Sequence, residues 1–186
     1  VFSVLIIVFV LSWLSIFIFI INSFRSRGPL FYRHKRNGIN YKEFYCYKFR
    51  SMNLNPEADL EQVSKNDPRI TRVGRFLRKT SIDESPQFFN VLIGSMSVVG
   101  PRPHMKSLSL SYQKEIDNYM SRHAVKPGIT GLAQVSGYRG EVKKRADIKN
   151  RIRLDIFYIE NWSFFLDLKI IIQTAANLFK GDQNAY

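Results

Sequence analysis

The stretch VFSVLIIVFVLSWLSIFIFIINSF, Val1–Phe24, carries no charged side chain and is built mainly from Val, Ile, Leu and Phe. At about 1.5 Å rise per residue, roughly 22 residues reach the thickness of a bilayer core. A helix apolar on every face and this long belongs in lipid more often than in a protein core. No basic leader precedes it and no small-residue cleavage site follows, so a signal peptide fits poorly. Arg25, Arg27, Arg33, Lys35 and Arg36 come next, and such a cluster holds its end of a membrane helix on the cytoplasmic side. The reading is therefore a membrane-anchoring helix over 1–24 and one cytoplasmic domain over 25–186. The chain opens on Val1 rather than methionine, so further residues are expected upstream.

The whole chain has 28 Lys and Arg against 15 Asp and Glu, a net charge of +13. That calls for an anionic partner: nucleic acid, phosphorylated small molecules or a membrane surface. A nucleic-acid binder has no need of the anchor. One cysteine, Cys46, excludes an internal disulfide and suits a reducing compartment.

Beyond the anchor, Leu30–Arg33 and Glu43–Phe49 read as short strands split by the hairpin signal Asn37-Gly38. Asn53–Asn66 is polar, helical or mobile. Asp67-Pro68 reads as an N-cap and first helical residue, with the helix running to Lys79. Pro86–Ile93 reads as a short helix closed by Gly94, and Pro101–Pro103 as a stiff turn. Leu108–His123, Ala146–Glu160 and Leu166–Phe179 read as helices, and Lys126–Gly131 as a loop because it packs one Pro and two Gly into six residues. The fold class is α+β, mostly helical, with a small β element. Trp162, Tyr158 and Phe164 suit an interfacial belt beside amphipathic helices.

Arg69, Arg72, Arg75 and Arg78 recur every third residue, Lys79 follows, and two adjacent acids, Asp83 and Glu84, come just after. A helix with this spacing sweeps one broad face, and such runs are ordinarily solvated. Arginine forks, however, match phosphate oxygens, and cations near a carboxylate keep it ionised. Two capping registers are available. Glu84 closes a box onto Ser81, or Ser85 caps a helix whose first residue is Pro86. The second avoids a proline inside the helix. Either way the acids stand near a helix N-terminus, which favours carboxylates and phosphates. Of two adjacent acids, one can attack or take a proton while the other holds a divalent cation. His34, His104 and His123 have no ligand spacing for zinc, and the Gly128–Gly137 loop lacks a dinucleotide pattern; it reads as an ordered loop near the active site or against the membrane.

The residues Thr80-Ser-Ile-Asp-Glu-Ser-Pro-Gln-Phe-Phe-Asn-Val-Leu-Ile-Gly94, then Met96-Ser-Val-Val-Gly-Pro-Arg-Pro103, then Lys126-Pro-Gly-Ile-Thr-Gly-Leu-Ala-Gln-Val-Ser-Gly137 resemble the bacterial sugar transferases, monotopic phosphoglycosyl transferases that start glycan assembly. Lys48–Met52, Asp67–Thr71 and Asp155–Lys169 extend the resemblance over nearly the whole chain. It implies transfer of a sugar 1-phosphate from a UDP-sugar to a polyprenol phosphate, with release of UMP. It implies Asp83 as the nucleophile of a covalent phosphosugar intermediate and Glu84 as a ligand of Mg²⁺. Arg78, Lys79, Arg102 and Lys48 are the candidate phosphate or nucleotide contacts; a carboxylate attacking a diphosphate needs such neutralisation. A bacterial inner-membrane location, membrane lipid as partner, downstream glycosyltransferases and an anchor that re-enters its own leaflet are implied too. A proline usually breaks that anchor; none precedes Pro29 here, and Ser12 and Ser15 are weaker benders. Ser95 replaces a common Asp and Ser85 a common Leu. A membrane-anchored, non-catalytic partner of a glycan assembly complex is the alternative, and the sugar is not legible.

Overall fold

The computed structural model describes Phe9 and residues 11–25, 28–54, 67–140 and 145–180, and in 19–25 and 179–180 the backbone alone. Most of the first half of the anticipated anchor, and most of Asn53–Asn66, lie outside the described residues. Helix α1 covers Ser12–Arg25. Strands β1 (Phe31–Asn37) and β2 (Glu43–Phe49) form an antiparallel hairpin in which Phe31 faces Phe49 and Asn37 faces Glu43. Helices α2 (Arg72–Lys79) and α3 (Gln87–Leu92) follow. Strand β3 (Ser97–Val99) leads to α4 (Lys106–Glu115), and β4 (Gly128–Thr130) to α5 (Leu132–Val135). Helices α6 (Arg145–Glu160) and α7 (Phe164–Lys180) close the chain. The mixture bears out the α+β, mostly helical class.

Several local expectations need correction. Strand β1 runs on to Asn37 because Arg36 and Asn37 still find partners in Phe44 and Glu43. The connection is a short 3-10 turn, Ile39–Tyr41, with Asn40 and Tyr41 at positive φ, rather than a two-residue turn on Asn37-Gly38. Asp67 does not cap a helix. Its carboxylate accepts from the Arg69 backbone (2.9 Å) and guanidinium. Thr71 is the cap of α2, its Oγ1 accepting from the Gly74 amide at 2.9 Å. The predicted Leu108–His123 helix breaks at Ile116–Asn118, where Asn118 is left-handed, and resumes as a 3-10 turn, Tyr119–Ala124. The predicted loop 126–131 contains β4, which pairs in parallel with β3. Glycine permits it: a Cβ on Gly128 would stand 2.1 Å from the Gly100 nitrogen. A Cβ on Gly74 would likewise stand 1.7 Å from the Ser51 carbonyl oxygen, so α2 crosses the end of β2 at backbone contact.

Three apolar clusters hold the layers together. Leu11, Leu14 and Ile18, three and four residues apart, turn one face of the N-terminal helical segment onto Phe49, Val73, Leu77 and Ile82. Burying each such side chain contributes about 1.5–3 kcal/mol. The other face leaves Trp13, Ile16 and Phe17 exposed. Among the described residues no helix is long and apolar enough to cross a membrane. Val99, Tyr158 and Ile170 form a second cluster, and Tyr119, Ile148 and Ile152 a third. Tyr158 thus belongs to the core, its hydroxyl donating to Asp167 at 2.8 Å, whereas Trp162, Phe164 and Phe165 are exposed.

Candidate functional site

Helix α2 ends because Ser81 adopts a left-handed backbone (φ +58), a conformation unfavourable for any residue with a Cβ. The chain then makes one 3-10 turn, Ile82–Glu84, and α3 starts after Pro86. Neither anticipated capping register forms. Ser81 makes no side-chain cap bond, and the Ser85 hydroxyl donates back to the Ile82 carbonyl at 2.7 Å. Both acids sit inside the short turn and are buried, at 6 % and 7 % exposure. Asn90, fully buried, fixes α3 to the hairpin by mimicking a neighbouring strand. Its Oδ1 accepts from the Tyr47 amide (3.0 Å) and its Nδ2 donates to the Tyr45 carbonyl (2.7 Å).

Glu84 is the hub. Lys48 Nζ, from β2, lies 2.7 Å from Oε1. Arg102, from the Pro101–Pro103 turn, donates through Nη2 to Oε1 and through Nη1 to Oε2 at 3.2 Å. Arg139 Nη2 stands 3.7 Å from Oε2 and donates to the Ser81 hydroxyl at 2.7 Å. Burial opposes the charge on Glu84, but Arg102 and Lys48 outweigh it and hold the carboxyl well below its usual range. Asp83 is different. Among the described residues no hydrogen bond reaches its carboxylate. Burial pushes it up to about 6, with Glu84 adding to the rise and Lys48, Arg78 and Arg102 opposing it. A desolvated carboxylate held by no hydrogen bond and ringed by cations is a competent nucleophile toward an electrophile carrying negative charge.

Four of the six site residues named from sequence, Asp83, Glu84, Lys48 and Arg102, come together. Arg78 approaches, donating to the Ser51 hydroxyl (2.8 Å) and the Met52 sulfur (3.3 Å) while acting on Asp83 only through its charge. Lys79 is exposed and makes no hydrogen bond or ion pair with either acid among the described residues. Arg72, Arg75 and Lys79, three and four residues apart, turn outward to solvent.

Sequence reasoning missed Arg139 and the bracing behind the cations. The one available signal was the glycine loop placed near the active site, since Arg139 lies two residues after Gly137. Arg122, buried, donates to Asp155 through Nε (3.1 Å) and Nη2 (2.7 Å), and through Nη2 to the Arg102 carbonyl at 2.7 Å. Four residues earlier on α6, Arg151 donates to the Gly140 carbonyl at 3.2 Å. One helix thus braces both loops that bring cations to Glu84.

Magnesium fits the site poorly as a resident ion. Both Glu84 oxygens are engaged by cations, and no group of three or more His, Cys, Asp or Glu gathers among the described residues. His104 and His123 meet instead around Tyr119, where His104 Nδ1 lies 2.9 Å from the hydroxyl. A cavity of about 360 Å³ between β3 and α7, lined by Val91, Val98, Lys126, Phe164 and Leu168, includes none of the six site residues.

A family model described as bacterial sugar transferase matches residues 1–181. The chain is 52 % identical over 163 residues to a UDP-glucose:undecaprenyl-phosphate glucose-1-phosphate transferase of Xanthomonas campestris pv. campestris, covering 87 % of this chain and 34 % of that protein. It is 43 % identical over 174 residues to an undecaprenyl-phosphate galactose phosphotransferase of Salmonella typhimurium, covering 85 % and 35 %. It is 42 % identical over 182 residues to the exopolysaccharide production protein PSS of Rhizobium leguminosarum bv. phaseoli, covering 95 % of this chain and 91 % of that one. The chain thus spans about a third of the length of the first two relatives and nearly all of the third.

Proposed function

The chain belongs to the bacterial sugar transferase family, and from that premise we propose that it transfers a sugar 1-phosphate from a UDP-sugar to a polyprenol phosphate. The observation that carries the reading is Asp83, a buried carboxylate without a hydrogen bond among the described residues, beside a Glu84 gripped by Lys48 and Arg102. In the first step an Asp83 oxygen attacks the sugar-bearing phosphorus. The Asp83 O–P bond forms, the bridging P–O bond breaks, and UMP leaves with the electron pair. In the second step a phosphate oxygen of the polyprenol attacks the same phosphorus. The product is a polyprenol diphosphate sugar, and the Asp83 carboxylate is regenerated. Lys48, Arg102 and Arg139 neutralise the diphosphate as it enters, which is the principal demand of phosphoryl transfer. Glu84 keeps these cations in place until then.

The sugar is open, and the names of relatives make glucose and galactose the first donors to try. Magnesium, where required, enters with the nucleotide, whose own oxygens supply most of its ligands. The exposed apolar side chains of α1 and α7, among them Trp13, Phe17, Phe164, Phe165 and Ile172, support seating at a lipid surface. The cations after residue 24 support the cytoplasmic face. There the polyprenol acceptor is at hand and downstream glycosyltransferases receive the product.

The test is UMP release by the purified chain in lipid, with undecaprenyl phosphate and a panel of UDP-sugars, beside Asp83→Asn. Release with one sugar, abolished in the variant, is expected, as is a phosphosugar adduct on Asp83 when the acceptor is omitted. Folded protein that releases no UMP with any donor overturns the reading.

A further inference from the structure

The hairpin turns one face toward the acids. His34 is registered opposite Cys46, and Tyr32 opposite Lys48. Opposed residues of an antiparallel pair project to the same side, as do alternate residues of a strand. Tyr32, His34 and Arg36 therefore share a face with Phe44, Cys46 and Lys48, and Lys48 reaches Glu84. Two residues along a strand span about 7 Å, so His34 stands about that far along this ledge from the Lys48 position.

Two groups on the ledge have no part in the reaction described above. His34 is 6 % exposed, and neither ring nitrogen has a hydrogen-bond partner among the described residues. Its ring lies 5.4 Å from that of Tyr32. Arg36 is half-buried and makes no hydrogen bond or ion pair with any described residue. Burial holds the imidazole in its neutral form, with the charges of Arg36, Lys48 and Arg102 acting in the same direction. Burial also pulls the Arg36 guanidinium down to about 10. Buried polar groups without partners destabilise a fold, so those that persist beside a reactive centre point to something that satisfies them from outside.

We propose that His34 and Arg36 form a second subsite for the nucleotide sugar, Arg36 taking a diphosphate oxygen and His34 an adjacent uncharged hydroxyl or carbonyl. The two chemistries follow from the groups. A guanidinium forks onto phosphate. An uncharged imidazole offers one donor and one acceptor, which is what a sugar hydroxyl or a uracil edge requires. The subsite rests on the donor reading above.

Calorimetric binding of UMP, UDP and UDP-glucose to the full chain tests it, with His34→Phe, His34→Gln and Arg36→Gln as variants. Arg36→Gln is expected to weaken UDP and UDP-glucose alike by roughly tenfold or more, the usual loss for a hydrogen bond to a charged group. His34→Phe is expected to weaken UDP-glucose roughly fivefold or more, and His34→Gln to restore most of that. If UDP binding by His34→Phe is unchanged, His34 reads the sugar; if UMP and UDP weaken too, it reads the base. A structural histidine would instead show as a lower melting temperature in His34→Phe, whereas loss of an unpaired group leaves it at or above the parent's. Unchanged affinities in the folded variants overturn the subsite and leave the donor reading standing. Failure of the parent chain to bind any of the three ligands overturns both.

Discussion

Arg102 grips Glu84 with both terminal nitrogens of its guanidinium, Nη1 lying 3.2 Å from Oε2 while Nη2 donates to Oε1. This is the planar fork that lysine cannot reproduce. Arg102→Lys keeps the charge and loses the geometry, both toward Glu84 and toward a diphosphate. We expect kcat/KM for the donor to fall about 10- to 100-fold, equivalent to about 1.4–2.8 kcal/mol. The unfolding midpoint should change little, because Lys48 still satisfies Oε1. UMP release at subsaturating donor measures the effect, and a rate equal to the parent's would remove Arg102 from the transition state.

Asp83 carries a strain that its replacement should reveal. Burial lifts its carboxyl from 3.8 to about 6, so the folded state favours the protonated form. That preference stabilises the fold below the unfolded value and is lost as pH rises through the folded one. Above about 6 the ionised side chain is therefore a liability. In metal-free buffer, Asp83→Asn is expected to gain about 3 kcal/mol at pH 8 and less than about 1 kcal/mol at pH 4, while losing all turnover. Urea unfolding at the two pH values checks the sign; a variant less stable at pH 8 would show that the carboxylate is held rather than strained.

Much of this arrangement is legible in the sequence, and the remainder has physical reasons for being hidden. Ile148, Ile152 and Ile156 repeat at helical spacing, so α6 reads correctly from pattern alone. The parallel pair β3–β4 does not. Three-residue strands carry too little alternation to register, and Gly128 and Gly131 read as loop residues although tight backbone packing against Gly100 is what requires them. In the site, Asp83, Glu84, Lys48 and Arg102 stand in recognisable motifs. Arg139 and Asp155 reach it only through tertiary folding, by way of Glu84 and Arg122. Lys79 misleads because closeness in sequence to Asp83 is not closeness across a helix end.

The buried pair behind Arg102 should be unequal to the loss of one partner. Asp155→Asn leaves the Arg122 guanidinium buried with its charge uncompensated, and breaking such a pair typically costs 3–5 kcal/mol; about 3 kcal/mol is expected here because the amide oxygen still accepts one bond. Adding Arg122→Met to Asp155→Asn removes the stranded charge and is expected to recover part of the stability. Yet the Arg102 carbonyl then lacks its 2.7 Å donor, so donor turnover should stay depressed. Recovery of both stability and turnover in the double variant would show that Arg122 does not position Arg102.

On the proposed reading, the same engagement of Glu84 would set the order in which metal and nucleotide bind. Both of its oxygens already accept from Lys48 and Arg102, and a dication approaching alone meets these positive charges first. A UDP diphosphate would bring negative charge able to draw Lys48 and Arg102 away from Glu84, and magnesium commonly takes one or two carboxylates together with such phosphates. Magnesium alone is therefore expected to leave the melting temperature unchanged, and UDP alone to raise it slightly. UDP with magnesium should raise it by more than the sum, since a ligand at about 100 times its Kd adds about 2.7 kcal/mol. EDTA should return the mixture to the UDP value. A shift with magnesium alone, lost in Glu84→Gln, would instead mean that Glu84 releases its cations for the metal without help from the nucleotide.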